Sequence, residues 1–365
     1  MEMRLRPLRE QVVVITGASS GIGLVTAKRA AASGARVVLA ARNEPDLAAA
    51  VRVIRERGGR AIYRVTDVAD ARQVEALGAA AVAEFGPVDS WINNAGVSVY
   101  GRCTDTPLAD LRRQFDVNYW GQVHGILTAV LLLRTRGGAL INVASAAADS
   151  AIPFQGNYCA TKHAIETFTN TLRLELEEAG VPISVTLVKP CSMDTPLFEK
   201  ARSFLGVEPR PIPPVYAPDV AARAILTAAE RSLREITIGG MSRLASLGDR
   251  LSLRRTTKHI KHKMFDSQRT AIPIRDDHAD NLYEPVMHDG GERGHFDGHV
   301  LERSAYTQAV LHPKRAALFG TAATAAALAA RRAFVNRKTD GDVRAVRFPA
   351  SRSHQRIVSR WPSTM

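Results

Sequence analysis

Between Gln11 and about Gly240, short aliphatic and β-branched runs alternate with longer segments whose apolar positions recur at helical spacing. The runs predict buried strands at Val12–Thr16, Arg36–Ala41, Ala61–Val65, Ser90–Asn93, Leu140–Val143, Ser184–Lys189 and Glu235–Ile238. The helical segments are Gly21–Ser33, Glu44–Arg57, Ala69–Phe85, Pro107–Arg134, Tyr158–Ala179 and Pro218–Glu230. Gly34, Gly58 and Gly180 stand just past three predicted helix ends, where glycine terminates a helix most easily. Strict alternation of strand and helix implies βαβ units and a parallel sheet. Seven strands with right-handed crossovers predict an α/β, doubly wound, Rossmann-type domain with helices on both faces.

Two stretches break this rhythm. Met193–Pro214 carries Pro196, Pro209, Pro211, Pro213 and Pro214, too many for a continuous helix. It follows a strand, which puts it at the carboxyl edge of the sheet and predicts a loop that covers a substrate. After Gly240 the periodicity decays, so the reading is a domain over 8–240, an irregular and helical C-terminal extension over 241–338, and a disordered tail over 339–365. Within the extension, the uncharged and mostly alanine run Ala316–Ala330 predicts a helix at about 314–334.

The chain has 365 residues, 45% hydrophobic and 23% charged, a balance that excludes a disordered, collagen-like or disulfide-scaffold protein. Its formal charge of +13 suggests a polyanion, but the charge is not spread evenly. Residues 1–240 hold 27 basic and 24 acidic residues; residues 241–365 hold 22 and 12. The basic excess therefore belongs to the extension. It is not interleaved with aromatic residues, so no nucleic-acid partner is expected. At 15 residues the alanine run reaches about 22 Å, short of the hydrocarbon core of about 30 Å. Packing on this chain or a partner is the first expectation for it. Peripheral contact with anionic lipid through Lys314, Arg315, Arg331, Arg332, Arg337 and Lys338 is the second. Three cysteines without CxxC spacing, and no secretory signal before Val12, lead to a reducing, cytoplasmic setting with possible membrane association. The His259, His262, His295 and His299 spacings lack the helix and completing ligands of a metal site, so none is expected.

The chemistry lies in the first domain. Thr16-Gly17-Ala18-Ser19-Ser20-Gly21-Ile22-Gly23 follows the first strand and opens the first helix. Glycines there let the backbone approach a pyrophosphate, and the helix N-terminus offers it unpaired N–H groups. The second strand ends Ala41-Arg42-Asn43. Without an acid to accept a ribose 2′-OH, and with a guanidinium suited to a 2′-phosphate, NADP(H) is expected over NAD(H). The Ser19 hydroxyl could join that phosphate. Tyr158 and Lys162, four residues apart on a predicted helix, share one face, and Ser145 lies just past the fifth strand at the same sheet edge. Hydride addition to a carbonyl leaves negative charge on oxygen that a positioned acid must neutralise. Tyr158 would supply that proton, Lys162 would lower its pKa and bind the nicotinamide ribose, and Ser145 would hold the substrate oxygen.

These residues, with Asn93-Asn94-Ala95-Gly96 after the fourth strand, make the chain resemble the short-chain dehydrogenase/reductase family, in its simple one-domain form. The resemblance covers roughly residues 8–240 and includes the thirteen-residue step from Ser145 to Tyr158. It implies that Asn94, Ala95 and Gly96 line the adenosine side of the cofactor and that Asp67 and Val68 contact the adenine. It further implies Asn118 as a catalytic residue fixing its helix and a water, and Pro190 and Thr195 at the nicotinamide end. The family's usual Pro-Gly is Pro190-Cys191 here. A buried thiol at Cys191 is expected rather than a nucleophile. The reading is an oxidoreductase acting on a small-molecule ketone, aldehyde or secondary alcohol. Homo-oligomers are implied through the Pro107–Arg134 and Tyr158–Ala179 helices. The alternative is a non-catalytic NADP(H)-binding sensor or scaffold.

Overall fold

The computed structural model describes residues 4–240, 264–275, 278–287 and 290–313. His259 and His262, the alanine run with its flanking basic residues, and the tail beyond Lys338 lie outside them. Strands β1 (Val12–Thr16), β2 (Arg36–Ala41), β3 (Arg60–Val65), β4 (Ser90–Asn93), β5 (Gly138–Val143), β6 (Ile183–Pro190) and β7 (Glu235–Ile238) form one sheet. Its order is β3-β2-β1-β4-β5-β6-β7, every neighbouring pair parallel. The chain leaves β1 toward one edge and returns at β4 to build toward the other. That reversal opens a crevice at the carboxyl ends of β1 and β4.

Side-chain alternation along the strands divides the interior in two. Val13, Ile15, Val37, Leu39, Ile141 and Ile236 meet helices α1 (Gly21–Ala32), α2 (Glu44–Glu56) and α7 (Pro218–Glu230) on one face. Val12, Val14, Val38, Leu140, Val185 and Leu187 meet α3 (Ala71–Phe85), α5 (Gly121–Leu133) and α6 (Gly156–Glu178) on the other. The continuous apolar run of β1 is thereby explained: both sides of each central strand are buried.

The segment expected as one helix over Pro107–Arg134 is instead α4 (Leu108–Phe115), a π-helical turn (Asp116–Trp120) and α5. The wider turn carries Asn118, fully buried, whose Oδ1 accepts from the Val97 N–H at 2.8 Å. Its Nδ2 donates to the Val97 carbonyl at 2.9 Å and the Thr161 hydroxyl at 3.3 Å. Such bulges recur where a side chain is re-aimed for a specific task.

Residues past Gly240 also build onto this unit, which extends to Leu311. Arg269–Pro273 pairs antiparallel with Val207–Pro209, and Val300–Leu301 pairs with Val215–Tyr216. Helix α8 (Ala305–Leu311) buries Thr307 and Leu311. Leu282, fully buried, completes the core beside Val68 and Val97. No helix among the described residues is long and apolar enough to cross a membrane.

Candidate active site

At the carboxyl edge, the turn from β1 into α1 brings Gly17 against the β4 loop. A Cβ on Gly17 would stand 2.7 Å from Ala95 Cα, and its φ of +65° favours glycine independently. Asn94 fastens the two loops, its Nδ2 donating to the Thr16 and Gly17 carbonyls at 3.0 and 3.1 Å. Gly23 does not face the crevice; its missing Cβ lets α1 close to the Gly17 carbonyl, where that atom would sit at 2.1 Å. Ser20 precedes α1 in extended conformation without a side-chain cap, and the first N–H of the helix, that of Gly21, donates to the Gly291 carbonyl at 2.9 Å. The Ser20 hydroxyl instead accepts from Lys200 Nζ at 3.0 Å, which adds a cation beside the glycine loop. Lys200 was not singled out in the sequence, where it is one lysine in the proline-rich loop.

One continuous cavity of about 490 Å³ runs along this edge. Of the residues expected to hold a cofactor, Gly17, Ser19, Ser20, Gly21, Ile22, Arg42, Asp67, Val68, Asn94, Ala95, Gly96, Pro190 and Thr195 line it, as do Ser145, Tyr158 and Lys162. Gly23 and Asn118 act from behind its wall.

Ser145 begins a single helical turn after β5, its hydroxyl accepting from the Ala147 N–H at 3.1 Å, and the Tyr158 phenol is hydrogen-bonded to it. Lys162, one turn along α6, places Nζ 5.5 Å from the Tyr158 ring centroid and donates to the Val143 carbonyl at 3.3 Å. Burial pushes the Tyr158 phenol up to about 12, while the Ser145 contact pulls the other way. Burial brings the Lys162 ammonium down to about 8. The expectation was a phenol lowered by its lysine neighbour. Desolvation of the phenol is the largest influence on it here and acts against that lowering. At neutral pH the pair is thus a protonated phenol beside a largely protonated amine. Cys191 also lines the cavity, but burial raises its thiol to about 12, which suppresses the thiolate.

The adenosine end departs from the sequence reading. The Arg42 guanidinium donates to the carbonyls of Tyr283 at 2.6 Å and Leu282 at 3.4 Å, and to that of Asn281. Its donors are thus engaged with backbone from the C-terminal region rather than presented alone to the crevice. Arg113 joins it, donating to the Leu282 carbonyl at 3.2 Å and pairing with Asp67 at 2.6 Å. Gly291 places its carbonyl on the Gly21 N–H at 2.9 Å.

The family model for short chain dehydrogenases matches residues 11–206. The chain belongs to the short-chain dehydrogenase/reductase family, an oxidoreductase family with a nucleotide-binding Rossmann fold. It is 40% identical over 333 residues to an uncharacterized oxidoreductase, YxnA, of Bacillus subtilis (strain 168), covering 89% of this chain and 93% of that protein. Among solved structures, a short chain dehydrogenase/reductase from Burkholderia phymatum in complex with NAD has a TM-score of 0.61 and 28% identity, over 71% of this chain and 98% of that one. An alcohol dehydrogenase from the archaeon Thermococcus sibiricus complexed with 5-hydroxy-NADP has a TM-score of 0.55 and 25% identity, over 62% of this chain and 95% of that one.

Proposed function

We propose that this oxidoreductase transfers a hydride between NADP(H) and an apolar ketone or aldehyde, or the matching secondary alcohol, with Tyr158 as the general acid and base. The observation that carries this reading is the hydrogen-bonded Ser145–Tyr158 pair, with Lys162 alongside, at one end of the cavity that the glycine loop lines at the other. The residues present suit a dinucleotide: a glycine turn too tight for a Cβ, with the positive end of α1 and the Lys200 amine beside Ser20 to attract phosphates. When bound, the dinucleotide supplies or accepts the hydride.

In reduction, the Ser145 hydroxyl holds the carbonyl oxygen and Tyr158 donates its proton to that oxygen as the hydride reaches carbon. The resulting phenolate recovers a proton from solvent, and Lys162, positively charged beside it, stabilises the anion meanwhile. Asn118 positions the machinery by clamping Val97 to α6 through Thr161. In oxidation the same groups run in reverse, with Tyr158 as base.

For the cofactor, charge favours NADP(H): Ala41 brings no carboxylate to the ribose end, and Arg42 and Arg113 keep two guanidinium groups there. The NAD and 5-hydroxy-NADP complexes of the two structural relatives support a dinucleotide of this type. The substrate end of the cavity is walled by Tyr100, Ile152, Phe198, Ile212, Pro214 and Met264. Among the described residues no carboxylate or guanidinium lines that end, which favours an uncharged, apolar substrate. Leu127, Leu131 and Leu174 leave α5 and α6 at 56%, 63% and 59% exposure, which supports a homo-oligomer through those helices.

The test is oxidation of NADPH and NADH by the full chain against a panel of apolar and charged carbonyls. Turnover with apolar members and a higher kcat/KM for NADPH is expected. Tight dinucleotide binding without turnover on any member would favour a non-catalytic sensor or scaffold. Arg42→Ala should lower kcat/KM for NADPH more than for NADH; an unchanged ratio removes Arg42 from the 2′-phosphate site.

A further inference from the structure

Residues 280–287 and 290–294 lie far outside the glycine and Tyr158 motifs, yet they converge on the adenosine end of the crevice. Leu282 is the plug that seats them, with no exposed surface and a place in the core on the α3, α5 and α6 face of the sheet. Around it the chain is held mostly by its own carbonyls. Arg42 grips three successive ones, Arg113 a share of one, and Asn43 Nδ2 takes that of Val286 at 2.7 Å. The Asn281 N–H donates to the Lys200 carbonyl at 3.0 Å, and the Tyr283 hydroxyl to Asp110 at 2.9 Å. Gly291 closes the far side on the first N–H of α1.

This segment borders the cavity without filling it. Asn281, Pro285 and Val286 line the same space as Ala41, Thr66, Asp67 and Val68. Asn281 Oδ1 is buried and has no hydrogen-bond partner among the described residues. A buried acceptor of this kind is costly until a donor reaches it. The adenosine half of a dinucleotide carries such donors in its ribose hydroxyls and the adenine amino group. Backbone carbonyls on Arg42 leave its positive charge in place, so the wall retains electrostatic attraction for a phosphate.

We infer that residues 280–287 and 290–294 are the outer wall of the adenosine subsite, and that the Asn281 side chain, turning its buried and unpartnered oxygen toward the cavity, binds adenosine. This rests on the reading of the crevice as an NAD(P)(H) site. The C-terminal region is then part of the cofactor site: a dinucleotide sits between the glycine loop and this wall. The alignment with YxnA, 333 residues long, extends beyond the family match at 11–206 into this region.

Hydrogen–deuterium exchange on the full chain tests the wall, with adenosine 2′,5′-bisphosphate, AMP and nicotinamide mononucleotide as separate probes. The two adenosine compounds should slow exchange in peptides from 280–287 and 290–294, and nicotinamide mononucleotide should not. Protection of the glycine-loop peptide without protection of these segments overturns the wall while sparing the proposed function. Protection of neither removes both. Asn281→Ala, a change at the cavity that leaves the Leu282 plug intact, should weaken NADPH and NADH alike by about 3- to 10-fold, the worth of one neutral hydrogen bond. Fluorescence titration reads that ratio, with the melting temperature as the folding control. Binding unchanged within twofold overturns the Asn281 contact.

Discussion

Lys162 is 3% exposed, and no carboxylate pairs with its amine among the described residues, so burial brings its ammonium from 10.5 to about 8. That fall corresponds to roughly 3 kcal/mol of preference for the neutral amine. In the unfolded chain this lysine titrates near 10.5, in the folded protein near 8, so between those values the unfolded state binds more protons. Folding stability therefore rises with pH across that window, and below about pH 8 the whole penalty is present. Lys162→Met removes it. The variant should be more stable than the natural protein below about pH 8, by up to roughly 3 kcal/mol, with the gain fading as pH nears 10.5. Activity should move the opposite way, falling by about 100-fold or more, because the cation beside Tyr158 is gone. Urea unfolding of both dinucleotide-free proteins at neutral and alkaline pH reads the first effect. The pH profile of kcat/KM for the dinucleotide reads the second, since it reports groups of the free enzyme. In the natural protein that profile should decline above about pH 8 as the ammonium is lost. A variant less stable than the natural protein at neutral pH, or a profile flat well beyond pH 8, would refute the reasoning.

Gly23→Ala places a methyl 2.1 Å from the Gly17 carbonyl, so the glycine turn must shift; a lower melting temperature and loss of dinucleotide binding should appear together, measured by calorimetry and titration. Asn118→Ala leaves the Val97 N–H and carbonyl without their buried partner, which should destabilise the fold by about 2–4 kcal/mol in urea unfolding and lower kcat. At neutral pH an alkylating reagent should label exposed Cys103 readily and Cys191 slowly, because burial keeps the latter protonated to about 12; mass mapping of labelled peptides checks the order.

The sheet was legible because its strands are buried on both faces and read as uninterrupted apolar runs. β1, β2, β4 and β7 begin and end as expected, and β3, β5 and β6 differ by one or two residues. The residues of the glycine turn, the β4 loop and the Ser145–Tyr158–Lys162 set were legible too, because their chemistry resides in side chains or in missing ones. The π-helical turn at Asp116–Trp120 was not, since its apolar spacing is close to that of a straight helix and the bonds Asn118 makes there, to Val97 and Thr161, are long-range. The wall over the adenosine end escaped for a different reason. Its bonds to Arg42, Asn43 and Gly21 are made by backbone carbonyls, which every residue carries, and its plug is the single leucine Leu282 in a polar stretch. Arg42 consequently read as a lone guanidinium, although its donors are shared with that wall.

The most direct test is Tyr158→Phe, assayed by nicotinamide absorbance with the apolar carbonyl that the natural protein reduces best. The ring and its packing stay, and only the hydroxyl bonded to Ser145 is lost. kcat should fall by about 10²- to 10⁴-fold, the usual worth of a positioned acid, while the dissociation constant for NADPH changes little. Robust turnover by this variant, with binding and stability unchanged, would contradict Tyr158 as the proton donor.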